Sequence, residues 1–201
     1  MVHLLIDNCS LLQLSNINGY NNYLIQLEDH INNGELILIT HNLILEEWER
    51  HKLKDKERKE RKLLFLSKQK EQIQNDATNL LPTIATVNTN HLDLQVQQID
   101  NILAKAKVLN TPEGIKNEVA ERIRKKLAPF HNKVNSLNDW EIIGSACAFC
   151  ENYAIWQLDF LSNNHTDFAD KDDINRKIHP TLQERFSKIA INYFKNYSDL
   201  F

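Results

Sequence analysis

A chain of 201 residues and 23.5 kDa has room for one sizeable domain. With 42% hydrophobic and 25% charged residues and only four Gly and four Pro, the composition excludes a disordered, collagen-like or turn-rich all-β chain. A net charge of −3 gives no basic excess for a tight, non-specific grip on duplex DNA, although a nuclease with an acidic metal site offsets basic groups elsewhere. No apolar run approaches the roughly 18–20 residues of a membrane span. The opening MVHLLID has no basic leader or cleavage site, so a cytoplasmic location and no membrane partner are expected. Three Cys suit a reducing compartment. Cys147 and Cys150 lie in an apolar helical stretch without a second metal-binding pair and read as buried thiols.

In chain order, residues 2–6 form a short apolar run closed by Asp7, the pattern of a buried parallel strand that delivers a carboxylate at its end. Tyr20, Leu24, Leu27 and Ile31 recur at helical spacing, and Asn33-Gly34 supplies a stop. Residues 36–39 predict a second strand. Thr40 or Asn42 can cap the helix that follows, with Glu46, Glu47 and Trp48 near its start. Strand, helix, strand, helix is the beginning of an α/β unit.

Residues 50–62 are mixed in sign but basic on balance, and the helix continues towards Ile73. Alternating charges permit i,i+4 support on a solvated face; contact with RNA there would place phosphates just beyond Glu47. Residues 82–90 read as a Thr- and Asn-rich loop, and 92–108 and 112–127 as two more helices. The block 50–128 is therefore expected to be an all-helical insertion within a single domain spanning 1–201. Pro129 breaks the chain, and Ser136 with Asp139 has the spacing of a capping box before a helix to about Asn152. Residues 154–161 predict a third strand, 162–167 a polar loop, and the segment after His179-Pro180 a last amphipathic helix carrying Phe186, Ile189, Tyr193 and Phe194.

Ligands in open parallel sheets bind beyond the carboxyl ends of the strands. Asp7, Glu46 or Glu47, Asp139 and Asp167 all fall at strand ends or helix starts. Carboxylates meeting in one cleft repel unless a cation neutralises them, and hard oxygen donors select Mg²⁺ or Mn²⁺. Each has a structural alternative: Glu46 and Glu47 favour the helix dipole anyway, Asp139 serves as a capping-box acid, and Asp167 serves an Asx turn.

The start HLLID7NCSLL resembles the first strand of PIN-domain ribonucleases. LILEE47WERH is similar to their second acidic site, and the segment from His131 through Asn135 and Ser136 to Asp139 resembles the third. The loop FLSNN164HTD167F resembles the fourth. The third segment and the ending IHPTL resemble a PIN-like subgroup classed as a domain of unknown function. The match touches both ends of the chain and skips the middle block. This resemblance implies a PIN-like three-layer α/β/α fold with a central, mainly parallel sheet. It implies a metal-dependent endoribonuclease acting as a toxin or defence effector, with an RNA substrate and an antitoxin or defence-system partner; a homodimer through the last helix is a further allowed partner. Asp7, Glu47, Asp139 and Asp167 would be catalytic, and Asp7, Glu47, Asp139 and Asn164 would hold Mg²⁺ or Mn²⁺. Glu46 is the fallback if the helix register differs. Asn135, Ser136, His131 and Lys133 would contact RNA. Two departures stand out: Asn8-Cys9-Ser10 replaces the usual polar residues after the first Asp, and Asn164 occupies the place of a fourth Asp. A degenerate PIN-like binding module and a metal-independent HEPN-type ribonuclease using Arg124 and His131 are the alternatives.

Overall fold

The computed structural model describes residues 1–16, 21–76, 90–132, 135–173 and 177–200. Its centre is a five-stranded parallel sheet of β1 (Val2–Ile6), β2 (Leu36–His41), β3 (Lys107–Leu109), β4 (Gln157–Leu161) and β5 (Ala190–Phe194), in the order β3-β2-β1-β4-β5. Leu4, Leu5 and Ile6 are all buried, as a strand covered on both faces requires. Chain order runs outward from β1 to β3, then returns to β4 on the other side. The reversal places a topological switch point between β1 and β4, whose right-handed crossovers put helices on opposite faces.

On one side, α1 (Asn8–Asn16), α2 (Asn21–Asn32) and α4 (Asn90–Ala104) pack together, with α2 against β2. Gly34 at φ +71° ends α2 in the left-handed conformation and lets Glu35 N–H reach the His30 carbonyl at 3.0 Å. On the other side α7 (Leu137–Asn152) lies on β2 and β4, with α5 (Glu113–Asn117) against it. The short helices α6 (Val119–Lys125), α8 (His165–Phe168) and α9 (Pro180–Arg185) complete the structure with a 3₁₀ turn at Tyr197–Asp199. This is the expected α/β/α arrangement. No helix among the described residues is long and apolar enough to cross a membrane.

The helix α3 (Asn42–Asp76) follows β2 without a loop. The His41 ring makes this turn: its Nδ1 accepts the Leu43 N–H at 3.2 Å. At 35 residues the helix is about 52 Å long, yet its core contacts end early. Ile44 and Trp48 are buried, and Trp48 Nε1 donates to Asp100 at 2.8 Å, whereas Leu53, Leu64 and Phe65 are exposed. Lys52 still reaches Asp100 on α4 at 3.0 Å, and beyond it the side chains of α3 that are described are exposed.

Several expectations are corrected. The middle block is not all helical, because Lys107–Leu109 pairs in parallel with β2 and α4 stops at Ala104. Residues 112–127 form two helices rather than one. The third predicted strand starts at Gln157, after a turn with Ala154 at φ +53°. The last helix covers only Pro180–Arg185; Ala190–Phe194 is a strand paired with β4. The capping box does not form, since Ser136 makes no side-chain bond to the helix it precedes. Helix α1 was not anticipated. The 82–89 part of the expected loop lies outside the described residues.

Cys147 and Cys150 are buried in the core, as expected. Gly144 of α7 packs directly on α5: a Cβ there would stand 2.8 Å from Ile115 Cγ2. Gly144→Ala is expected to destabilise the fold by about 1–3 kcal/mol through overpacking. A urea midpoint equal to that of the parent would overturn this.

Candidate active site

Asp7 follows β1 directly, and its N–H donates to the carbonyl of Leu161, the last residue of β4, at 2.9 Å. The carboxylate therefore stands at the switch point, at the paired carboxyl ends of β1 and β4. It is 7% exposed and accepts three hydrogen bonds. The Asn8 N–H donates to Oδ1 at 2.7 Å, while Ser162 Oγ and Cys9 Sγ donate to Oδ2 at 2.8 and 3.0 Å. Burial nevertheless pushes its pKa above the ordinary carboxylate value; these three bonds pull it back down, and the negative charge of Glu47 raises it again.

Glu47, half-buried near the start of α3, is held by two amides. Asn8 Nδ2 donates to Oε2 and Asn138 Nδ2 to Oε1, both at 3.3 Å. Arg50, one turn further along, has its guanidinium 3.9 Å away. Helix register thus selects Glu47 over Glu46, which is exposed and faces His41 electrostatically. Asn8 links the two acids, its main-chain N–H on Asp7 and its side chain on Glu47, and Asn138 brings α7 to Glu47 as well.

Asn138 and Asp139 occupy the first turn of α7, with Asp139 half-buried. Ser136 precedes them, and its buried hydroxyl has no hydrogen-bond partner among the described residues; the same holds for Asn8 Oδ1. A chain of hydrogen bonds fixes this end of α7 to the sheet. With Nδ1 of His41 accepting from Leu43, the ring proton sits on Nε2, 3.1 Å from Thr111 Oγ1, which donates to Glu141 Oε2 at 2.7 Å. Burial lowers the pKa of His41, in keeping with a neutral ring.

The loop after β4 is built on Ser162, whose Oγ also accepts the Asn164 N–H at 3.0 Å. Asn164 Nδ2 donates to Asp167 at 2.9 Å, and its Oδ1 accepts from Thr166 at 3.1 Å. These bonds hold the buried Asp167 within its own loop, tied to Asp7 through Ser162. The His131 ring packs at a tilt against His179, centroids 4.6 Å apart, and its Nε2 lies 2.7 Å from Asn132 Nδ2. Asn135 is exposed, and Lys133 lies outside the described residues. Arg124 sits on α6, which ends at Lys125 before the left-handed Lys126 (φ 50°). It does not share a helix with His131, which removes the support for a HEPN-type pair.

Sequence reasoning missed Ser162, Asn8 and Asn138 as the groups that orient the two acids. Ser162 follows β4 as Asp7 follows β1, and that parallel was the available signal. Cys9 was seen only as a departure; its thiol, pushed up to about 12 chiefly by burial and by Asp7, acts as a hydrogen-bond donor rather than a nucleophile.

Among the described residues, no group of three His, Cys, Asp or Glu side chains is gathered closely enough to hold a metal ion. The donor chemistry fits a single hard cation instead. Mg²⁺ keeps several waters and is held through one or two carboxylates, which Asp7 and Glu47, joined through Asn8, can supply.

A family model described as PIN domain matches residues 4–168. The chain belongs to the PIN domain family. The match runs through the middle block as well as both acidic ends. No match was found among curated proteins or among solved structures. PIN domains are in general nucleases that use divalent metals, which gives this chain a nuclease-type function in outline.

Proposed function

We propose that this PIN domain is a metal-dependent ribonuclease whose cutting centre is the cleft between β1 and β4. The observation that carries this reading is the placement of two oriented carboxylates, Asp7 and Glu47, across Asn8 at the switch point of the sheet. Asp7 and Glu47 would hold Mg²⁺ or Mn²⁺, and Asp139 would act through a water molecule rather than as a direct ligand. When bound, such an ion supplies charge neutralisation at the phosphate and a water of lowered pKa.

The chain's own residues do the rest. Ser162, Cys9 and the Asn8 N–H fix the Asp7 rotamer, and Asn8 with Asn138 fixes that of Glu47. The amino end of α7 has no side-chain cap, and the buried Ser136 hydroxyl beside it lacks a partner among the described residues. A phosphate oxygen is the ligand that such an end accepts. Asp167, held by Asn164, supports the loop rather than the ion in this reading. A role as toxin or defence effector is part of the proposal and predicts growth arrest when the chain is expressed without its regulator.

The test is cleavage of mixed RNA and DNA pools by purified protein with Mg²⁺, Mn²⁺ or EDTA, beside Glu47→Gln. The expected result is RNA cutting that needs metal and falls by about a hundredfold or more in Glu47→Gln. Cutting that persists in EDTA would overturn it. Absence of both cutting and calorimetric Mn²⁺ binding would favour the non-catalytic binding module, for which the lack of a three-acid cluster among the described residues is the supporting observation.

A further inference from the structure

The exposed part of α3 is not used by the site, although it begins there. Charge is divided sharply between one segment of this helix and the rest of the chain. Residues 50–62 carry eight Lys or Arg against three Asp or Glu, while the rest of the chain carries sixteen against twenty-four. The basic segment lies on a helix whose last buried apolar side chain among the described residues is Trp48, and of its cations Lys52 is held by Asp100 of α4.

The spacing along that helix is informative. Glu47, Lys54, Arg61 and Lys68 follow one another at intervals of seven residues. Seven residues are nearly two turns, so each lies about 20° round from the last and about 10 Å further along. Lys54, Arg61 and Lys68 are exposed, and Arg50, on the same side, is exposed beside Glu47. Phe65 falls between Arg61 and Lys68 at i+4 and i−3 and is 59% exposed. The stripe is therefore cationic, carries a bare aromatic ring, and leads back over about 30 Å to the carboxylate at its start. Arg61 also lies 3.8 Å from Glu57, but both side chains are exposed, and an i,i+4 pair of that kind is too weak to withhold it from a phosphate.

We propose that α3 beyond Trp48 is an arm that binds single-stranded nucleic acid, with Lys54, Arg61 and Lys68 on successive phosphates and Phe65 stacked on an unpaired base. Its direction towards Glu47 rests on the nuclease reading; its binding does not. A cationic groove or stripe with an interleaved aromatic is the combination that recognises unpaired strands without sequence preference. A second copy of the chain, whose body is acidic, is the competing occupant.

The experiment uses the full chain in EDTA and a fluorescent single-stranded RNA of about 20 nucleotides, followed by anisotropy across salt. The variants are the triple Lys54→Gln, Arg61→Gln, Lys68→Gln and the single Phe65→Ala, with helicity checked by circular dichroism. Three lost phosphate contacts at about 0.7 each reduce the slope of log affinity against log salt by about 2. Phe65→Ala is expected to weaken single-strand binding by about fivefold or more while sparing duplex. An unchanged slope and affinity in the triple variant would overturn the arm, even with metal-dependent cutting intact. A triple variant that loses self-association in sedimentation but not RNA binding would overturn it too. Binding that responds as expected in a protein that never cuts would uphold the arm and remove the nuclease reading instead.

Discussion

Asp7→Asn is expected to abolish metal-dependent cutting, by about a hundredfold or more, and at the same time to stabilise the metal-free protein. Both effects come from the same burial. The folded state holds the carboxylate out of water, and Glu47 adds a like charge, so the pKa of Asp7 lies above its ordinary value. A carboxylate with a raised folded pKa binds its proton more tightly in the native state than in the unfolded one. Stability from that proton is fully present below the unfolded pKa and is lost as pH rises through the folded pKa, at up to about 1.4 kcal/mol per pH unit in between. Asparagine carries no such dependence. Its Oδ1 can take over the bond from the Asn8 N–H, and its amide can donate to Ser162 Oγ, which offers lone pairs. The melting temperature in EDTA should therefore diverge between parent and variant as pH is raised from about 4 to 7, with the variant above. A variant that melts lower than the parent at neutral pH would overturn the account. Added Mn²⁺ should raise the parent and leave the variant unmoved.

Arg122→Ala is the second large effect expected, in stability rather than chemistry. Arg122 is 4% exposed, and its Nε and Nη2 donate to the Ala128 carbonyl at 3.1 and 2.6 Å, with the guanidinium 4.1 Å over the Trp140 ring. Burial lowers its pKa to about 10, so it remains charged at neutral pH. Removing it leaves the buried Ala128 carbonyl without both donors and opens space against Trp140. Together these should cost about 3 kcal/mol or more. Arg122→Lys restores a charge but not the planar fork, and should recover only part of it. Exposed Arg124→Ala, two residues along, should stay within about 0.5 kcal/mol of the parent. Urea unfolding of the three variants checks this; equal midpoints for Arg122→Ala and Arg124→Ala would sink it. The loop Arg122 holds leads into α7, which carries Ser136, Asn138 and Asp139, so loss of this clamp also loosens one wall of the cleft.

The strand that delivers Asp7 was legible because five residues of unbroken β-forming sequence end in a charge. The acid at the start of α3 was legible only as Glu46 or Glu47, and the hydrogen bonds of Asn8 and Asn138 mark Glu47 as the one beside Asp7. The strands β3 and β5 were not legible. Lys107–Leu109 is only three residues, and its apolar positions continue the helical period of α4 until pairing with β2 overrides it. In 186–194, Phe186, Ile189 and Tyr193 satisfy a helical period as well as Ala190–Phe194 satisfies a strand, and no Gly or Pro separates the two. Side chains that orient the acids escaped because their partners are distant in sequence: Ser162 lies 155 residues from Asp7, and Asn138 lies 91 from Glu47. Their types carry no signal until the sheet order is known.

The separation of a basic helix from an acidic body has an effect on how the molecule meets other charges. A chain of net charge −3 behaves at long range as a weak anion, but within a Debye length of about 8–10 Å its two ends present opposite fields. An approaching polyanion is turned away from the globular end and drawn to the basic stretch 50–62 of the helix. Encounters are thus oriented before any contact forms, and their rate should fall with ionic strength, as for a cationic protein, despite the sign of the total.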